Sequence, residues 1–175
     1  MLKKIIGFIG TGKMGAALIK GLLNARLVDA RNIIAYDRTK EILLSIAKET
    51  KIRKAASNAQ VVLNSDIIIL CVKPDAMRGI LKEIKEYITN RHLVISIAAG
   101  IPLSLIESGL KETSHVIRVM PNTPCLIGAG ASCFCPGKNA TAADSKITNL
   151  ILNSAGVSFL LDEKMRWNIC FCFDS

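Results

Sequence analysis

The chain has 175 residues, half of them apolar, and a formal net charge of +9 at pH 7. This length accommodates one well-buried domain, and the apolar fraction indicates a globular core. The basic residues are scattered, with no dense basic block and no interleaved aromatic residues, so the charge does not indicate a nucleic-acid-binding surface. Attraction of an anionic ligand is its milder consequence.

The sequence predicts neither a membrane span nor an export signal. The uncharged stretch 119–137 is interrupted by prolines and cannot form a membrane helix. The apolar stretch after Lys3 and Lys4 is too short for a signal peptide. We therefore expect a cytoplasmic protein that does not bind membranes.

The six cysteines do not have the spacing of a zinc site. Cys133 and Cys135, like Cys170 and Cys172, are separated by one residue, whereas the paired ligands of structural zinc usually have two to four residues between them. Cys71 falls in an apolar run and is expected to be a small core residue. We expect reduced thiols and no metal site.

The first predicted strand leads directly into a glycine motif. The apolar run Ile5 to Ile9 is followed by a G-x-G-x-x-G loop, which is typical of dinucleotide-binding βαβ units. Gly10 allows the tight turn, Gly12 lets the backbone approach a pyrophosphate, and Gly15 lets the next helix pack against the sheet. The loop consists of Gly10, Thr11, Gly12, Lys13, Met14 and Gly15.

A helical pattern and a second strand follow this loop. The strand, Ile33 to Tyr36, ends at Asp37, about twenty residues past the loop, where a carboxylate can accept hydrogen bonds from the adenosine ribose. Strand, loop, helix, strand and acid together favour a dinucleotide site. An α/β domain without a ligand is the alternative.

The remaining pattern alternates between helices and strands. Helices are expected at 40–48, with Ile42, Leu43 and Ile46 facing inward, at 59–63, capped by Ser57 or Asn58, and at 75–88 and 102–110; strands are expected at 67–72, 93–98 and 116–120. This alternation predicts an α/β fold, a doubly wound, mainly parallel Rossmann-type sheet with helices on both faces, spanning residues 1–163.

Ligands of such sheets bind beyond the carboxyl ends of the strands. The segments expected there are 10–15, 37–39, 72–74, 98–100 and 120–124. His92 and His115 fall at the opposite ends of their strands, so neither is placed to act as a general acid or base. We therefore predict no catalytic side chain.

Four segments at the strand ends resemble those of the pyrroline-5-carboxylate reductases, in the same order. They are IGFIGTGKMG at 6–15, ILCVKP at 69–74, ISIAAG at 95–100 and RVMPNTP at 118–124. The MPNTP turn is the specific one, because related hydroxyacid dehydrogenases share the glycine loop but not this turn. The resemblance extends from Ile5 to about Glu163.

The resemblance implies an oxidoreductase of proline biosynthesis. Such enzymes transfer hydride from NAD(P)H to a cyclic imine acid, pyrroline-5-carboxylate, giving L-proline. It also implies that the cofactor crevice is walled by Val72, Lys73 and Pro74, that the nicotinamide is approached by Ala99, Met120, Pro121 and Asn122, and that the adenosine part lies near Asn58.

The sequence gives opposing indications of cofactor choice. Asp37 favours NADH by binding a free 2′-hydroxyl, whereas Arg38, Thr39 and Lys40 could hold a 2′-phosphate and resemble the turn of NADPH-preferring family members. We expect NADP(H), with NAD(H) as the alternative.

The resemblance ends past Asp162 and Glu163, where the family continues into a helical dimerisation domain that binds the substrate carboxylate. Residues 164–175 are expected to be a divergent tail in place of that domain, left by truncation, although a native tail packed on the sheet is the alternative. We expect the family's homo-oligomer to be lost and cofactor binding alone to be retained. A catalytically silent dinucleotide-binding or regulatory module is the second hypothesis.

Overall fold

The computed structural model describes residues 1–161, which form one eight-stranded sheet with helices on both faces. The strands are β1 (Ile6–Ile9), β2 (Ile33–Tyr36), β3 (Arg53–Lys54), β4 (Ile67–Leu70), β5 (Leu93–Ser96), β6 (His115–Pro121), β7 (Gly130–Pro136) and β8 (Gly156–Leu160). The helices are α1 (Lys13–Asn24), α2 (Lys40–Thr50), α3 (Asn58–Leu63), α4 (Met77–Ile84), α5 (Leu103–Gly109) and α6 (Ala142–Leu152).

The strand order is β3-β2-β1-β4-β5-β6-β7-β8. All neighbouring strands from β3 to β6 are parallel, and Ile6 of β1 pairs with Ile33 on one side and Ile67 on the other. The order therefore reverses at β1, which places the topological switch point beside the carboxyl end of this strand. The predicted doubly wound, mainly parallel Rossmann-type fold is confirmed.

The core has two layers, one on each face of the sheet. Helices α1, α2 and α6 cover one face with residues such as Leu18, Ile46 and Ile151, and α3, α4 and α5 cover the other. Alternate residues of β4 enter the two layers, so Ile67 and Ile68 belong to opposite ones. Burial of both faces explains why this strand is a continuous apolar run.

Two details of the helices differ from the sequence-based expectations, and a third decides between two alternatives. The helix expected at 75–88 is a 3₁₀ turn, Pro74–Ala76, followed by the shorter α4, which ends at Ile84. The inward placement of Ile42 was wrong: it is 41% exposed, because only one stripe of α2 packs against the sheet. Ser57, rather than Asn58, caps α3, and its hydroxyl accepts a hydrogen bond from the Gln60 amide.

The sequence did not predict β7, α6 or β8. The loop from Asn122 to Ala129 is too short for the crossover that a parallel pair requires, so β7 runs antiparallel to β6. The 3₁₀ segment Thr123–Ile127 and Gly128, at φ +77°, reverse the chain there. Cys133 and Cys135 are buried within β7.

The described range contains no helix long and apolar enough to cross a lipid bilayer. Residues 1–161 also contain no group of three or more His, Cys, Asp or Glu side chains that could hold a metal ion. The predicted domain boundary at residue 163 and the predicted divergent tail 164–175 lie outside the described residues.

Candidate functional site

The glycine loop joins β1 to α1 at the switch point. Gly10 has φ +92°, and a Cβ there would lie 2.5 Å from the Cys71 carbonyl oxygen, so both conformation and space require glycine. A Cβ on Gly15 would lie 2.7 Å from the Gly10 carbonyl oxygen, which shows how closely α1 approaches the loop. The turn and packing roles expected of these two glycines are those that the structure shows.

Gly12 has a different environment from Gly10 and Gly15. A Cβ on Gly12 would meet no atom within 4 Å, so the space over it is open. Gly12 is also the N-cap of α1, which has no side-chain capping bond and no acidic residue in its first turn. Because the first N–H groups of a helix have no intrahelical acceptor, this end of α1 presents donors and a partial positive charge toward open space. These features fit a pyrophosphate.

The other loop residues differ in exposure. Lys13 is exposed at the start of α1 and adds positive charge there, and Met14 is partly buried against the core. Thr11 is only 1% exposed, because its side chain turns inward toward β2 rather than toward solvent.

Asp37 follows β2 and contacts the glycine loop. Its Oδ2 accepts hydrogen bonds from the Thr11 backbone N–H at 2.6 Å and from the Thr11 hydroxyl at 3.1 Å. Its Oδ1 accepts a hydrogen bond from the Thr39 backbone N–H at 2.9 Å. The expected ribose-binding carboxylate therefore has three partners within the protein itself.

Arg38, Thr39 and Lys40 lie beyond Asp37 at the start of α2, and all three are exposed. Thr39 is the N-cap of α2, and its side chain makes no capping bond. Two cationic side chains beside this helix N-terminus form a site that suits a phosphate.

Val72, Lys73 and Pro74 follow β4, next to the glycine loop. The Cys71 amide extends the parallel ladder by donating to the Ile9 carbonyl oxygen at 2.8 Å. The side chain of Val72 approaches Gly10, because a Cβ built on Gly10 would lie 3.2 Å from Val72 Cγ1. Val72 therefore lies beside the loop, and the cofactor contacts of Val72, Lys73 and Pro74 that the resemblance implies stay a prediction.

Ala99 lies after β5, and Met120 to Asn122 form the end of β6 and the residue after it, at the same edge of the sheet. Ala99 is exposed, and the Met120 Sδ is 3.7 Å from Arg118 Nη2. Asn122 Oδ1 accepts a hydrogen bond from the Ala131 amide at 2.9 Å, which ties the end of β6 to the start of β7. The 3₁₀ segment after Asn122 contacts α1, the helix into which the glycine loop leads.

Asn58 begins α3 and is 7% exposed. Its Nδ2 donates to Glu83 Oε2 at 2.8 Å, which ties α3 to α4. Asn58 Oδ1 has no hydrogen-bond partner among the described residues. The side chain therefore has a packing role, and the adenosine contact expected from the resemblance stays a prediction.

The two histidines lie at the amino ends of β5 and β6, as the sequence predicts. His92 is buried, its Nδ1 accepts a hydrogen bond from the Thr89 amide at 2.9 Å, and burial, reinforced by the Arg91 charge, lowers its pKa. His115 Nδ1 lies 2.9 Å from Asp144 Oδ2. Burial opposes the ionised form of Asp144, but hydrogen bonds from Thr141 and His115 leave its pKa below the usual value.

A cavity of about 570 Å³ lies away from the glycine loop, between α5 and the ends of β7 and β8. It is lined by residues such as Leu103, Glu107 and Pro136 and contains none of the predicted site residues. Pro136 pairs with Ile117 near the start of β6, so this cavity is on the opposite edge of the sheet. Ligands of doubly wound sheets bind beyond the carboxyl ends of the strands, so this cavity is not at the position expected for a dinucleotide.

Sequence reasoning missed the side-chain contacts that hold the site together. Thr11 was assigned to the phosphate loop and Asn122 to the turn near the nicotinamide, but neither the bond from Thr11 to Asp37 nor that between Asn122 and Ala131 was predicted. Their residue types gave the only available signal, because threonine and asparagine often bond to the backbone in turns.

Residues 5–100 match the family model described as NADP oxidoreductase, coenzyme F420-dependent. The chain is 43% identical over 160 residues to a pyrroline-5-carboxylate reductase of Methanosarcina acetivorans, covering 91% of this chain and 59% of that protein. It matches the structure of the Plasmodium falciparum enzyme with NADP bound at 35% identity and a TM-score of 0.84, covering 94% and 60%. It also matches the Coxiella burnetii enzyme at 28% identity and a TM-score of 0.88, covering 93% and 60%.

The chain thus spans about three fifths of the length of these relatives. The family model includes the glycine loop and the strand-end segments at 69–74 and 95–100, whereas the MPNTP turn lies beyond it. The chain therefore belongs to the family described as NADP oxidoreductase, coenzyme F420-dependent, and its resemblance to the pyrroline-5-carboxylate reductases is confirmed.

Proposed function

We propose that this chain binds NADP(H) at the carboxyl edge of its sheet, with the pyrophosphate over residues 10–15. The observation that carries this proposal is the N-terminus of α1, which has no capping side chain and opens beside Gly12 into free space. Unpaired N–H groups at such a position favour an anion. The positive charge of Lys13 acts in the same direction.

The proposal places the adenosine end of the cofactor beside α2. Arg38 can donate paired hydrogen bonds to a 2′-phosphate, and Thr39 and Lys40 lie next to it at the helix N-terminus. The relative from Plasmodium falciparum whose structure contains NADP supports this choice. NAD(H) is the alternative cofactor.

The reaction that we propose is that of the relatives, reduction of the cyclic imine pyrroline-5-carboxylate to L-proline. The bound nicotinamide supplies the hydride. The residues of this chain bind and orient it, with Ala99 and the Met120 to Asn122 turn beside the ring. A protonated imine accepts hydride directly, so orientation supplies most of the rate enhancement and no acid or base beside the ring is required.

We further propose that the chain by itself retains cofactor binding, and that positioning of the imine acid and formation of a homo-oligomer depend on residues outside 1–161. Its share of the relatives' length, 59%, supports this division. A cytoplasmic location completes the proposal, and the free thiols of Cys71 and Cys125 are consistent with it.

Gly12→Ala tests the cofactor site. Because the added methyl group would meet no protein atom within 4 Å, the variant should fold normally and yet block the pyrophosphate. We expect NADPH affinity in calorimetry to fall at least about tenfold, by loss of anion contacts at the helix N-terminus. Gly79→Ala is the matched control, since a Cβ there is equally unobstructed and lies on α4, outside the loop.

The outcome is read with both variants shown by circular dichroism to be folded. If Gly12→Ala bound NADPH as tightly as the parent chain, the proposed site would be wrong. Weakening by Gly79→Ala to the same extent would show that the loss does not report on the loop.

NADPH absorbance with pyrroline-5-carboxylate tests the division of labour. The chain alone should oxidise NADPH slowly or not at all, because the imine is not positioned for hydride transfer. A full-length relative provides the positive control, alone and mixed with this chain. Turnover by this chain at the relative's rate would contradict the proposal. Failure to bind any nicotinamide cofactor would contradict both the proposed function and the alternative of a silent dinucleotide-binding module.

A further inference from the structure

Asp37 lies between the two segments that the proposed cofactor would contact. On one side the glycine loop leads into α1, and on the other the turn at Arg38 and Thr39 leads into α2. The Asp37 carboxylate bonds to both, through the Thr11 amide and hydroxyl on Oδ2 and the Thr39 amide on Oδ1. No other side chain is shown bonding to both segments within the described part of the chain.

The number of hydrogen bonds limits what this carboxylate can do for a ligand. An ionised carboxylate has about four acceptor positions. Two on Oδ2 and one on Oδ1 are used within the protein, so about one remains for a ribose hydroxyl. Bonding to both ribose hydroxyls would require Asp37 to release at least one internal partner.

Thr11 shows that these bonds are built into the fold. Its side chain is 1% exposed, and its hydroxyl donates to Asp37 at 3.1 Å. A backbone bond from the Gly10 amide to the Tyr36 carbonyl oxygen, 2.9 Å long, joins the same two strand ends. Asp37 therefore continues the β1–β2 pairing past the last residues of the two strands.

We propose that Asp37 is a positioning residue that sets the glycine loop against the 2′-phosphate-binding turn, and that it does not itself select NADH. This inference rests on the proposed binding of a nicotinamide dinucleotide. Asp37 holds Thr11 and Thr39 at a fixed separation, so the pyrophosphate and adenosine contacts are made together. Discrimination between NADPH and NADH then depends on Arg38 and its neighbours.

Asp37→Ala separates positioning from selection of NADH. Loss of three hydrogen bonds to a charged group should leave the loop and the turn free to move apart and weaken NADPH and NADH alike, by about tenfold each. The ratio of their two dissociation constants should stay within about twofold of the parent ratio. Arg38→Ala is the matched control on the neighbouring residue, and it should weaken NADPH alone.

Thr11 provides a second route to the same result. Thr11→Val keeps the shape but removes the hydroxyl donor, and it should weaken both cofactors, whereas Thr11→Ser keeps the donor and should restore parent-like binding. Combined with Asp37→Ala, Thr11→Val should add little further loss, because both changes remove the same interaction. These variants also serve if Asp37→Ala does not fold.

Hydrogen exchange of the cofactor-free chain tests the contact independently of binding. The Thr11 and Thr39 amides should be protected in the parent and should exchange faster in Asp37→Ala. Failure of the parent to bind either cofactor would overturn the proposed function, and the exchange data would still test the contact.

The inference is overturned by selective loss of NADH in Asp37→Ala with NADPH retained or improved. Parent-like binding of both cofactors by Asp37→Ala and by Thr11→Val would also overturn it. So would amide protection that does not change when Asp37 is replaced.

Discussion

The polar groups at the carboxyl ends of the strands differ in their hydrogen bonding from those at the amino ends. At the carboxyl edge, the first turn of α1 has no capping side chain, and Gly12 faces open space. At the amino edge, His92 accepts a bond from the Thr89 amide, His115 pairs with Asp144, and Thr141 and Asp144 form a capping box on α6. The 570 Å³ cavity also lies away from the carboxyl edge. The open helix N-terminus is thus at the edge where we propose that the cofactor binds, and the cavity is not.

Gly10→Ala should have the largest effect of the substitutions that probe this comparison. It forces an alanine to φ +92° and brings a methyl group to 2.5 Å from the Cys71 carbonyl oxygen. We expect the free energy of unfolding to fall by about 3 kcal/mol, measured by urea denaturation. Gly12→Ala is the comparison and should lose little stability. An equal loss in both variants would contradict the different roles that we assign to Gly10 and Gly12.

Asn122→Ala should have the next largest effect. It leaves the Ala131 amide without the Asn122 oxygen, which accepts from it at 2.9 Å, and we expect a loss of about 1–3 kcal/mol in the free energy of unfolding. Asn122→Asp retains an acceptor and should lose less. If Asn122→Ala kept full stability in denaturant titrations, the bond would not hold the β6–β7 turn.

Thr141→Ala tests the amino edge, where we expect a change in stability without a change in cofactor affinity. The Thr141 hydroxyl accepts from the Asp144 amide at 3.1 Å, and loss of such an N-cap costs about 1 kcal/mol. Thr141→Ser should restore the stability. Calorimetric titration with NADPH provides the second measurement, and weaker binding by Thr141→Ala would contradict the separation of the two edges.

His92 should give the smallest effect, seen only as pH changes. Burial lowers its pKa in the folded chain below the ordinary value of 6.5, so the unfolded chain binds the proton more tightly. The free energy of unfolding should therefore fall as pH drops below about 6.5 toward the folded pKa. His92→Asn does not titrate there, so the parent's stability should fall more steeply than the variant's between pH 7 and pH 5. Parallel curves would contradict the assignment.

The sequence predicts the parallel part of the fold because its signals are local. The glycine spacing, the apolar run at 67–72 and the two candidate capping residues, Ser57 and Asn58, each identify an element from adjacent residues. The β6–β7 reversal was not predicted, because it depends on a short turn and on the bond from Ala131 to Asn122. Exposure of Ile42 was also missed, since the width of the buried stripe on α2 depends on which neighbours pack against it.

For the site, the sequence located the segments but not their internal contacts. Gly10, Gly12 and Gly15 belong to one motif, and the sequence does not distinguish them. The structure does, because a Cβ on Gly10 or Gly15 would collide with backbone atoms, whereas a Cβ on Gly12 would meet no atom within 4 Å. The charge of Asp37 suggested a ribose contact. Its bonds from Thr11 were not predicted, because the two residues are 26 positions apart in the sequence. Such contacts arise because β1 and β2 are neighbours in the sheet, and the spacing of motif residues does not predict them.

Cys71 lies where β4 meets the glycine loop, and this position has a chemical consequence. Its sulfur would be 3.5 Å from a Cβ on Gly15, and desolvation of the thiol raises its pKa. The thiolate is the form that reacts with alkylating agents and oxidants, so Cys71 should be slow toward both at neutral pH in the folded chain. Because the side chain is only partly buried, an increase in its alkylation rate, rather than alkylation as such, would indicate that α1 has moved away from β4.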